Sequence, residues 1–329
     1  MTTAAVCTSL SGTDNLALQD WVVRDVGPGD VRLDVRAASV NFPDVLMVRG
    51  LYQAKLEPPF VAGSACAGVI TDMGPGVRDL AVGDRVIAVT GAAFATEAVA
   101  KPPAQQVHRI PDDMPFDQAA AFDITYGTGI HGLVGRGGLV AGESVLVLGA
   151  AGGCGSAAVQ IAKAVGAFVV GVAGGDEKCA LVRKLGADVV LDHRVVESLS
   201  GAVKEATGGR GVDVVFDTVG GADVREPLRC LAWNGRYLVI GFAAGEIPVL
   251  KLNQTILKSI SVVGVAYGMS AIADPAGNAH DFRQLFDWYE QGLVTPAIGH
   301  RFPLHDAAEA MRVVHEREAI GKVVIEMPA

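Results

Sequence analysis

The sequence predicts an α/β protein that combines a β-rich region with a doubly wound parallel sheet. Short strands separated by turns fill residues 1–120, whereas apolar strands alternate with helical segments from Ser144 onward. A glycine-rich turn joins the first of those apolar strands to a helix, as nucleotide-binding sheets require. Of the 329 residues, 50% are apolar and 19% are charged, a balance that excludes a disordered chain.

The β-rich region is predicted from turns that precede alternating apolar positions. The turn at residues 28–30 precedes residues 31–35, in which apolar and polar side chains alternate as in a half-buried strand. A second turn at residues 82–84 precedes a predicted strand at 85–89. We therefore expect residues 1–120 to be all-β and rich in loops.

From Ser144 the pattern predicts a parallel sheet with helices on both faces. The apolar strand 145–148 is followed by the glycine turn and a helix at 156–165. The strand 168–173 is followed by a helix at 176–185, with Asp176 as its N-cap. Six strands alternating with helices match a doubly wound nucleotide-binding domain. The four remaining strands are predicted at 189–191, 212–216, 237–240 and 260–265.

The last segment of the chain is too short to form a domain of its own. Residues 281–291 and 307–316 are predicted helices, and residues 298–302 and 322–326 are predicted strands. We expect this segment to return to the β-rich region and complete it.

The turn after strand 145–148 carries the most informative motif in the chain. Gly149, Gly152 and Gly155 follow the spacing G-x-x-G-x-x-G between a strand and a helix. Residues without a Cβ reverse the chain and let the backbone approach a pyrophosphate, to which the helix N-terminus presents N–H groups and partial positive charge. The motif predicts a dinucleotide-binding site. A glycine-rich packing turn is the alternative.

The end of strand 168–173 bears on the choice between NADPH and NADH. A carboxylate at this position would bind the ribose 2′-hydroxyl, but Gly174 and Gly175 stand there. A 2′-phosphate is therefore not repelled, and Lys178 is close enough in sequence to bind it. The pattern favours NADPH, with an ordinary exposed helix lysine as the alternative reading of Lys178.

The remaining composition excludes several classes of partner and site. The net charge of −9 argues against nucleic acid and anionic membrane surfaces, because both attract clustered Lys and Arg. The uncharged stretch 144–162 is nearly long enough to span a bilayer, but its central glycines favour a strand, turn and helix. The five cysteines form no CxxC pair, and residues 1–15 lack the pattern of a signal peptide, so we expect a reduced cytoplasm.

Short motifs spread in order along nearly the whole chain carry a family resemblance. They lie at residues 39–44, 50–52, 83–86, 149–155, 157–163, 185–188, 216–220 and 321–324. Together they resemble the zinc-independent quinone oxidoreductases, the zeta-crystallin-like branch of the medium-chain dehydrogenase/reductase superfamily. The resemblance implies a GroES-like β-rich catalytic domain at residues 1–123 and 264–329, and a six-stranded Rossmann domain at 124–263. It also implies NADPH as cofactor and a homodimer joined along the edge strand near 260–265.

The resemblance further implies which residues bind the cofactor. Lys178 and Arg317 match positions that bind the 2′-phosphate, and His193 stands where the family often has a tyrosine. Cys154, in place of the family's valine, is expected to be a small buried residue rather than a redox thiol. The other expected cofactor residues are Thr125, Phe242 and Val265 at the nicotinamide, with Ala151, Gly152, Gly153, Gly174 and Val219.

The positions that hold the metal ligands in zinc-dependent members hold other residues here. Residues 41–44 and 63–65 contain neither Cys nor His, and the seven histidines show no paired metal spacing, so we expect no catalytic zinc. Without a Lewis acid, hydride transfer to an electron-poor acceptor is favoured over alcohol oxidation. The resemblance places Asn41, Asp44 and Tyr52 beside the nicotinamide. Asn41 and Tyr52 are expected donors to the acceptor oxygen, and Asp44 either orients them or caps the following helix.

The leading functional prediction is an NADPH-dependent reductase of quinones. The first alternative is a 2-enoyl reductase of an enone, an alkenal or a small acyl-CoA such as acryloyl-CoA, which needs the same hydride geometry. Ala65 stands where the family usually has an acid, so the choice of acceptor stays open. The second alternative is a non-catalytic NADPH-binding protein with a structural or regulatory role.

Overall fold

The computed structural model describes residues 2–53, 55–102 and 106–328, and the chain divides into two units. The first unit comprises Met1–Ile124, Met269–Phe286 and Pro296–Ala329, so both ends of the chain belong to it. The second comprises Thr125–Gly268 and Asp287–Thr295. The second unit thus includes residues 264–268 and 287–295, which the sequence prediction assigns to the GroES-like domain.

The described residues form sixteen strands and ten α-helices. The strands are β1 (Thr2–Cys7), β2 (Leu16–Trp21), β3 (Val31–Val40), β4 (Phe60–Val61), β5 (Ala65–Met73), β6 (Arg85–Val89), β7 (Glu97–Ala100), β8 (Val107–Arg109), β9 (Ser144–Leu148), β10 (Phe168–Ala173), β11 (Val189–Asp192), β12 (Val212–Asp217), β13 (Leu231–Val239), β14 (Ser261–Gly264), β15 (Ile298–Pro303) and β16 (Lys322–Glu326). The helices are α1 (Phe42–Val48), α2 (Phe116–Ile130), α3 (Gly153–Val165), α4 (Asp176–Lys184), α5 (Leu199–Ala206), α6 (Arg225–Cys230), α7 (Asn253–Ile256), α8 (Tyr267–Ala273), α9 (Pro275–Glu290) and α10 (Ala307–His315).

β3 is the central strand of the first unit, whose larger sheet has the order β15-β16-β3-β5-β6-β8, with β7 also pairing with β3. It extends to residue 40, beyond the predicted end at residue 35. Residues 37–40 are all buried, so this part lacks the alternation by which a half-buried strand is predicted. β16 pairs antiparallel with β3, with Val323 opposite Val40. The end of the chain therefore completes this sheet, as the sequence predicts. A smaller sheet has the order β2-β1-β4.

Two helices show that the prediction of an all-β first region is wrong. α1 and the start of α2 lie among the first 120 residues. At seven residues, α1 is too short to reveal a helical period in the sequence. Its N-cap is Asn41, whose backbone N–H donates to Asp44 Oδ2 at 2.8 Å. Asp44 therefore caps the helix, one of the two roles considered for it.

Six parallel strands form the sheet of the second unit, in the order β11-β10-β9-β12-β13-β14. The doubly wound sheet predicted from the sequence is confirmed. The chain passes from β9 to β10 on one side and returns on the other side of β9 with β12, so the strand order reverses there. In such sheets, ligands bind beyond the carboxyl ends of the strands beside this reversal. The glycine turn directly after β9 lies at that place.

Two boundaries in the second unit differ from the sequence prediction. Gly175, not Asp176, is the N-cap of α4, and Asp176 is the first helical residue. The φ of 87° at Gly175 is a left-handed conformation that turns the strand into the helix within one residue. β13 begins at Leu231 rather than at residue 237. Its first part is not predicted from the sequence, because Asn234 and Gly235 interrupt the apolar pattern.

The long uncharged stretch of the sequence is divided among three elements. Residues 144–162 form β9, the glycine turn and most of α3. Within the described parts of the chain, no helix combines the length and the apolar character needed to cross a membrane.

Candidate cofactor and catalytic site

The glycine turn between β9 and α3 contains two positions with no room for a side chain. A Cβ on residue 149 would lie 2.6 Å from the hydroxyl of Thr218. A Cβ on residue 155 would overlap the carbonyl oxygen of Gly149. This close approach of backbone to backbone keeps the turn bare, so that a ligand can contact the main chain directly.

The residues predicted at the pyrophosphate lie together at the N-terminus of α3. Gly152 is the N-cap, Gly153 and Cys154 open the helix, and Ala151 precedes them. The first N–H groups of an α-helix have no intrahelical acceptors and carry partial positive charge. The first turn of α3 has no acidic residue, so the bare turn and this helix end fit a dinucleotide. Cys154 is half-buried rather than buried as predicted, because it lies in this exposed first turn.

The loop after β12 lies against the glycine turn at the same end of the sheet. Thr218 Oγ1 donates to the carbonyl oxygen of Leu148 at 2.9 Å. A methyl of Val219 lies 3.1 Å from the Cβ position of residue 149, and the ring of Phe242 lies 2.8 Å from that of residue 220. Val219 therefore lies beside the glycine turn, and Phe242, the other predicted cofactor residue, lies beside residue 220 of the loop after β12.

Asp217 shapes this loop, and sequence reasoning missed it. Its Oδ1 accepts the N–H groups of Val219 at 2.7 Å and Gly220 at 3.0 Å, while the Tyr237 hydroxyl donates to its other oxygen. Burial, together with the charge of Asp217, raises the pKa of the Tyr237 hydroxyl, so that it stays a donor. An acid that ends an otherwise apolar strand is the signal by which Asp217 could have been found.

The end of β10, where the 2′-phosphate is predicted, is covered by the turn that follows β11. The parallel pairing of β10 with β11 brings His193 and Arg194 beside Gly174. His193 Nε2 lies 2.5 Å, and Arg194 Nε 3.2 Å, from the Cβ position of residue 174. Lys178 is half-buried in the first turn of α4. Gly174 and His193 are thus brought together, whereas Arg194 was missed because strand pairing is needed to place it.

In the first unit, Asn41 and Asp44 belong to one buried hydrogen-bond network. Asn41 Nδ2 donates to the carbonyl oxygen and the hydroxyl of Ser39, at 3.1 and 3.3 Å. Asn41 Oδ1 accepts from Lys322 Nζ at 2.7 Å. The hydroxyl of Ser64 donates to Asp44 Oδ1 at 2.6 Å. Two predicted catalytic residues are therefore joined directly to each other and to residues far away in the sequence.

Lys322 and Ser64 are members of this network that sequence reasoning did not single out as functional. Lys322 opens β16, is only 4% exposed, and also donates to the carbonyl oxygen of Val40 at 3.1 Å. A lysine at the start of a buried apolar strand is the signal that could have found it. Lys322 and Ser39 together hold the Asn41 amide within the first unit, and its action as a donor to an acceptor stays a prediction.

Burial raises the pKa of the Asp44 carboxyl to about 6. The hydrogen bonds from Ser64 and from the backbone N–H of Asn41 oppose this rise, and so does the positive charge of Lys322. The carboxyl therefore titrates close to neutral pH.

Comparison with known proteins assigns the two units to one family. The model of the alcohol dehydrogenase GroES-like domain matches residues 27–112, and that of the zinc-binding dehydrogenases matches residues 153–291. Quinone oxidoreductase-like protein 2 of Rattus norvegicus is 37% identical over 326 residues, covering 98% of this chain and 92% of that protein. The chain belongs to the medium-chain dehydrogenase/reductase superfamily. Within that superfamily it is quinone oxidoreductase-like, as the motif resemblance predicts.

Other members of the superfamily share the whole fold. The 2-haloacrylate reductase of a Burkholderia species is 31% identical over 338 residues, covering 99% of both chains. A mycobacterial protein solved in complex with NADPH has a TM-score of 0.91 at 30% identity, covering 98% of this chain and 99% of that one. The predicted combination of a GroES-like β-rich domain and a Rossmann sheet is confirmed.

The remaining predicted residues of this medium-chain oxidoreductase lie in both units. Tyr52 is half-buried in the loop that follows α1. Thr125 is buried in α2, and Val265 follows β14, where its N–H donates to the carbonyl oxygen of Val239 at 3.1 Å. Arg317 follows α10 in the first unit. Contact of these residues with cofactor or acceptor stays a prediction.

Proposed function

We propose that this protein is an NADPH-dependent reductase that transfers hydride to a quinone without a metal ion. The observation that carries the proposal is the glycine turn after β9, which lies where the strand order reverses, is bare of side chains and opens α3. The NADPH-bound mycobacterial neighbour supports the cofactor, and the quinone oxidoreductase relatives support the acceptor class. When bound, NADPH supplies the hydride.

The chain's own residues bind and orient the reactants in this proposal. The N-terminus of α3 and the loop shaped by Asp217 hold the dinucleotide. Tyr52 donates a hydrogen bond to the acceptor oxygen that gains charge, which a tyrosine hydroxyl does in its neutral form. Hydrogen bonds with Asp44, Ser64 and Lys322 hold Asn41 and the start of α1 in place.

The buried network in the first unit does not fit a zinc ion. Catalytic zinc is bound by thiolate, imidazole and carboxylate groups, whereas this network offers an amide, a hydroxyl and a carboxylate. The Lys322 ammonium lies 2.7 Å from Asn41 Oδ1, which places positive charge where a bound cation needs negative ligands. In the residues that the structure describes, no three His, Cys, Asp or Glu side chains are grouped to hold a metal.

A 2-enoyl reductase is the second candidate, and the 2-haloacrylate reductase relative favours it. Reduction of a carbon–carbon double bond beside a carbonyl needs the same hydride alignment and the same donor at the carbonyl oxygen. The two functions therefore differ in the shape of the acceptor, and turnover with matched acceptors separates them.

Steady-state oxidation of NADPH tests the proposal. We would compare 9,10-phenanthrenequinone, a 2-alkenal, 2-chloroacrylate and acryloyl-CoA, each with and without a chelator. The highest kcat/KM for the quinone, unchanged by the chelator, supports the proposal, and the highest value for another acceptor supports the enoyl reductase. Tight NADPH binding without any turnover would instead indicate a non-catalytic NADPH-binding protein. Activity lost with the chelator would contradict the metal-independent mechanism.

We also propose that the protein acts in the cytoplasm as a homodimer, with a small molecule rather than nucleic acid or a membrane as its partner. All five cysteines are free thiols, which supports a reducing compartment. β14 is the last strand of the second unit's sheet, and pairing with a second copy would cover its edge.

A further inference from the structure

The side chain of Arg194 lies over the backbone at the start of α4. Its two Nη atoms are 2.6 and 3.6 Å from the Cβ position of residue 175, and its Nε is 3.2 Å from that of residue 174. Glycine at both positions makes room for the guanidinium. The guanidinium therefore lies against the end of β10. Because Arg194 is exposed, its charge is also accessible to a ligand.

Asp192 holds the turn that carries Arg194. Its carboxylate oxygens accept the backbone N–H groups of Gly175 and Arg194, both at 2.9 Å. The N–H of His193 also donates to the carbonyl oxygen of Ala173 at 3.0 Å. The bond from the Arg194 N–H is the main cause that keeps the pKa of Asp192 below its usual value. This acid is therefore engaged by backbone groups, unlike a strand-end acid that binds a ribose 2′-hydroxyl.

The charges around this turn are mixed, and the guanidinium of Arg194 is the cation that lies against residues 174 and 175. Asp176 and Glu177 are exposed acids in the first turn of α4, followed by Lys178. A lysine is a point charge on a flexible stem, whereas a guanidinium offers a planar pair of donors to phosphate oxygens. The partial positive charge of the helix N-terminus adds to the attraction for an anion.

We propose that Arg194 contacts the 2′-phosphate of NADPH and sets the preference for NADPH over NADH. This inference rests on the proposed use of NADPH and adds a residue to the set expected at the phosphate, which was Lys178, His193 and Arg317. Asp192 is a positioning residue, because it acts through the turn that bears Arg194.

Binding of two nucleotides that differ only in the 2′-phosphate tests the inference. Dissociation constants of the full chain are measured by calorimetry for adenosine 2′,5′-bisphosphate and for AMP. Arg194→Gln should weaken binding of the bisphosphate by about ten- to fiftyfold and change that of AMP by less than about twofold. Arg194→Lys should give an intermediate loss, because it keeps the charge without the paired donors.

Arg183→Gln is the matched control, because Arg183 is an exposed arginine in the last turn of α4, the helix whose start lies beneath Arg194. It should change neither constant. The inference is overturned if Arg194→Gln leaves the ratio of the two constants at its wild-type value, if it weakens both ligands alike, or if Arg183→Gln has the same effect. A selective effect of Arg194→Gln in a protein that reduces no acceptor would overturn the reductase proposal alone. Turnover with a ratio unaffected by Arg194→Gln would overturn this inference alone.

Discussion

Asp44 shows how the surroundings of one residue set its chemistry. Burial favours its neutral form, while Ser64, the Asn41 N–H and Lys322 favour its charged form, and the net pKa is about 6. This value exceeds the ordinary 3.8, so the folded state binds the proton more tightly than the unfolded state does. The stabilisation that results is complete below about pH 4 and is lost as the pH rises through about 6.

We predict that Asp44→Asn becomes more stable relative to the wild type as the pH rises from 4.5 to 7. Between these pH values the wild type should lose about 2 kcal/mol of unfolding free energy through this group, whereas asparagine does not titrate. Urea unfolding of both proteins at the two pH values measures the difference. Asp113→Asn, at an exposed carboxyl of the same unit, should show no such trend. A difference between Asp44→Asn and the wild type that is independent of pH would contradict the prediction.

Tyr52 is the predicted donor whose hydroxyl can be removed with the least change elsewhere. Tyr52→Phe should lower kcat by about tenfold or more, because the acceptor oxygen loses a hydrogen bond as it gains charge. The dissociation constant of NADPH should stay nearly unchanged, because phenylalanine keeps the ring and the lost hydroxyl is proposed to contact the acceptor rather than the cofactor. Stopped-flow turnover and NADPH titration measure the two effects. Tyr289→Phe is the control, and a wild-type rate in Tyr52→Phe would remove Tyr52 from the mechanism.

At the scale of elements, β9, the glycine turn and α3 form one strand–turn–helix whose shape depends on close backbone contact. The carbonyl oxygen of Gly149 fills the space that a side chain on residue 155 would need. The turn cannot shift without moving the start of α3, which carries the predicted pyrophosphate contacts. Packing and the predicted cofactor binding would therefore depend on the same glycine, Gly155.

We predict that Gly155→Ala weakens both the fold and the binding of NADPH. The overlap with Gly149 should lower the unfolding free energy by about 2 kcal/mol or more and weaken NADPH binding by over about tenfold. Gly91→Ala is the matched control, because in the described structure no heavy atom lies within 4 Å of its Cβ position. Urea unfolding and NADPH titration of both variants give the comparison. Wild-type binding in Gly155→Ala would show that the turn is not the cofactor site.

At the scale of the whole molecule, six exposed apolar side chains lie on β13 and in the segment that leads from β13 to β14, and we call them the apolar patch. They are between 67% and 85% exposed, and large exposed apolar side chains are often found at interfaces. A second copy pairing along β14 is the occupant that we propose. The patch consists of Trp233, Ile247, Val249, Leu252, Ile256 and Leu257.

We predict a particle of two subunits in solution, measured by size-exclusion chromatography with light scattering. Val262→Lys places a charge on β14, where Val262 is exposed, and should shift the protein toward the monomer. Val195→Lys is the control, because Val195 is also exposed, at 77% against 42% for Val262, but follows β11 at the opposite edge of the sheet. A monomeric wild type, or a dimer unaffected by Val262→Lys, would contradict the proposed interface.

Most of the fold could be predicted because its strands and turns are marked locally. The inner strands β9, β10 and β12 of the parallel sheet are apolar runs that are largely buried on both faces, and the glycine turn combines a strand, three spaced glycines and a helix. α1 could not be predicted as an element, because seven residues are too few for a helical period. The extension of β3 to Val40 was missed because it becomes fully buried and loses its alternation.

The sequence by itself determined the doubly wound sheet, the place of the glycine turn and the return of the last strand, since each depends on local pattern or on strand order. Only the tertiary structure brought Lys322 to Asn41, Thr218 to Leu148 at the end of β9, and Arg194 to the end of β10. These contacts join residues from different strands, and their distances follow from sheet register. Register is set by packing of the whole sheet and is not written in any single segment.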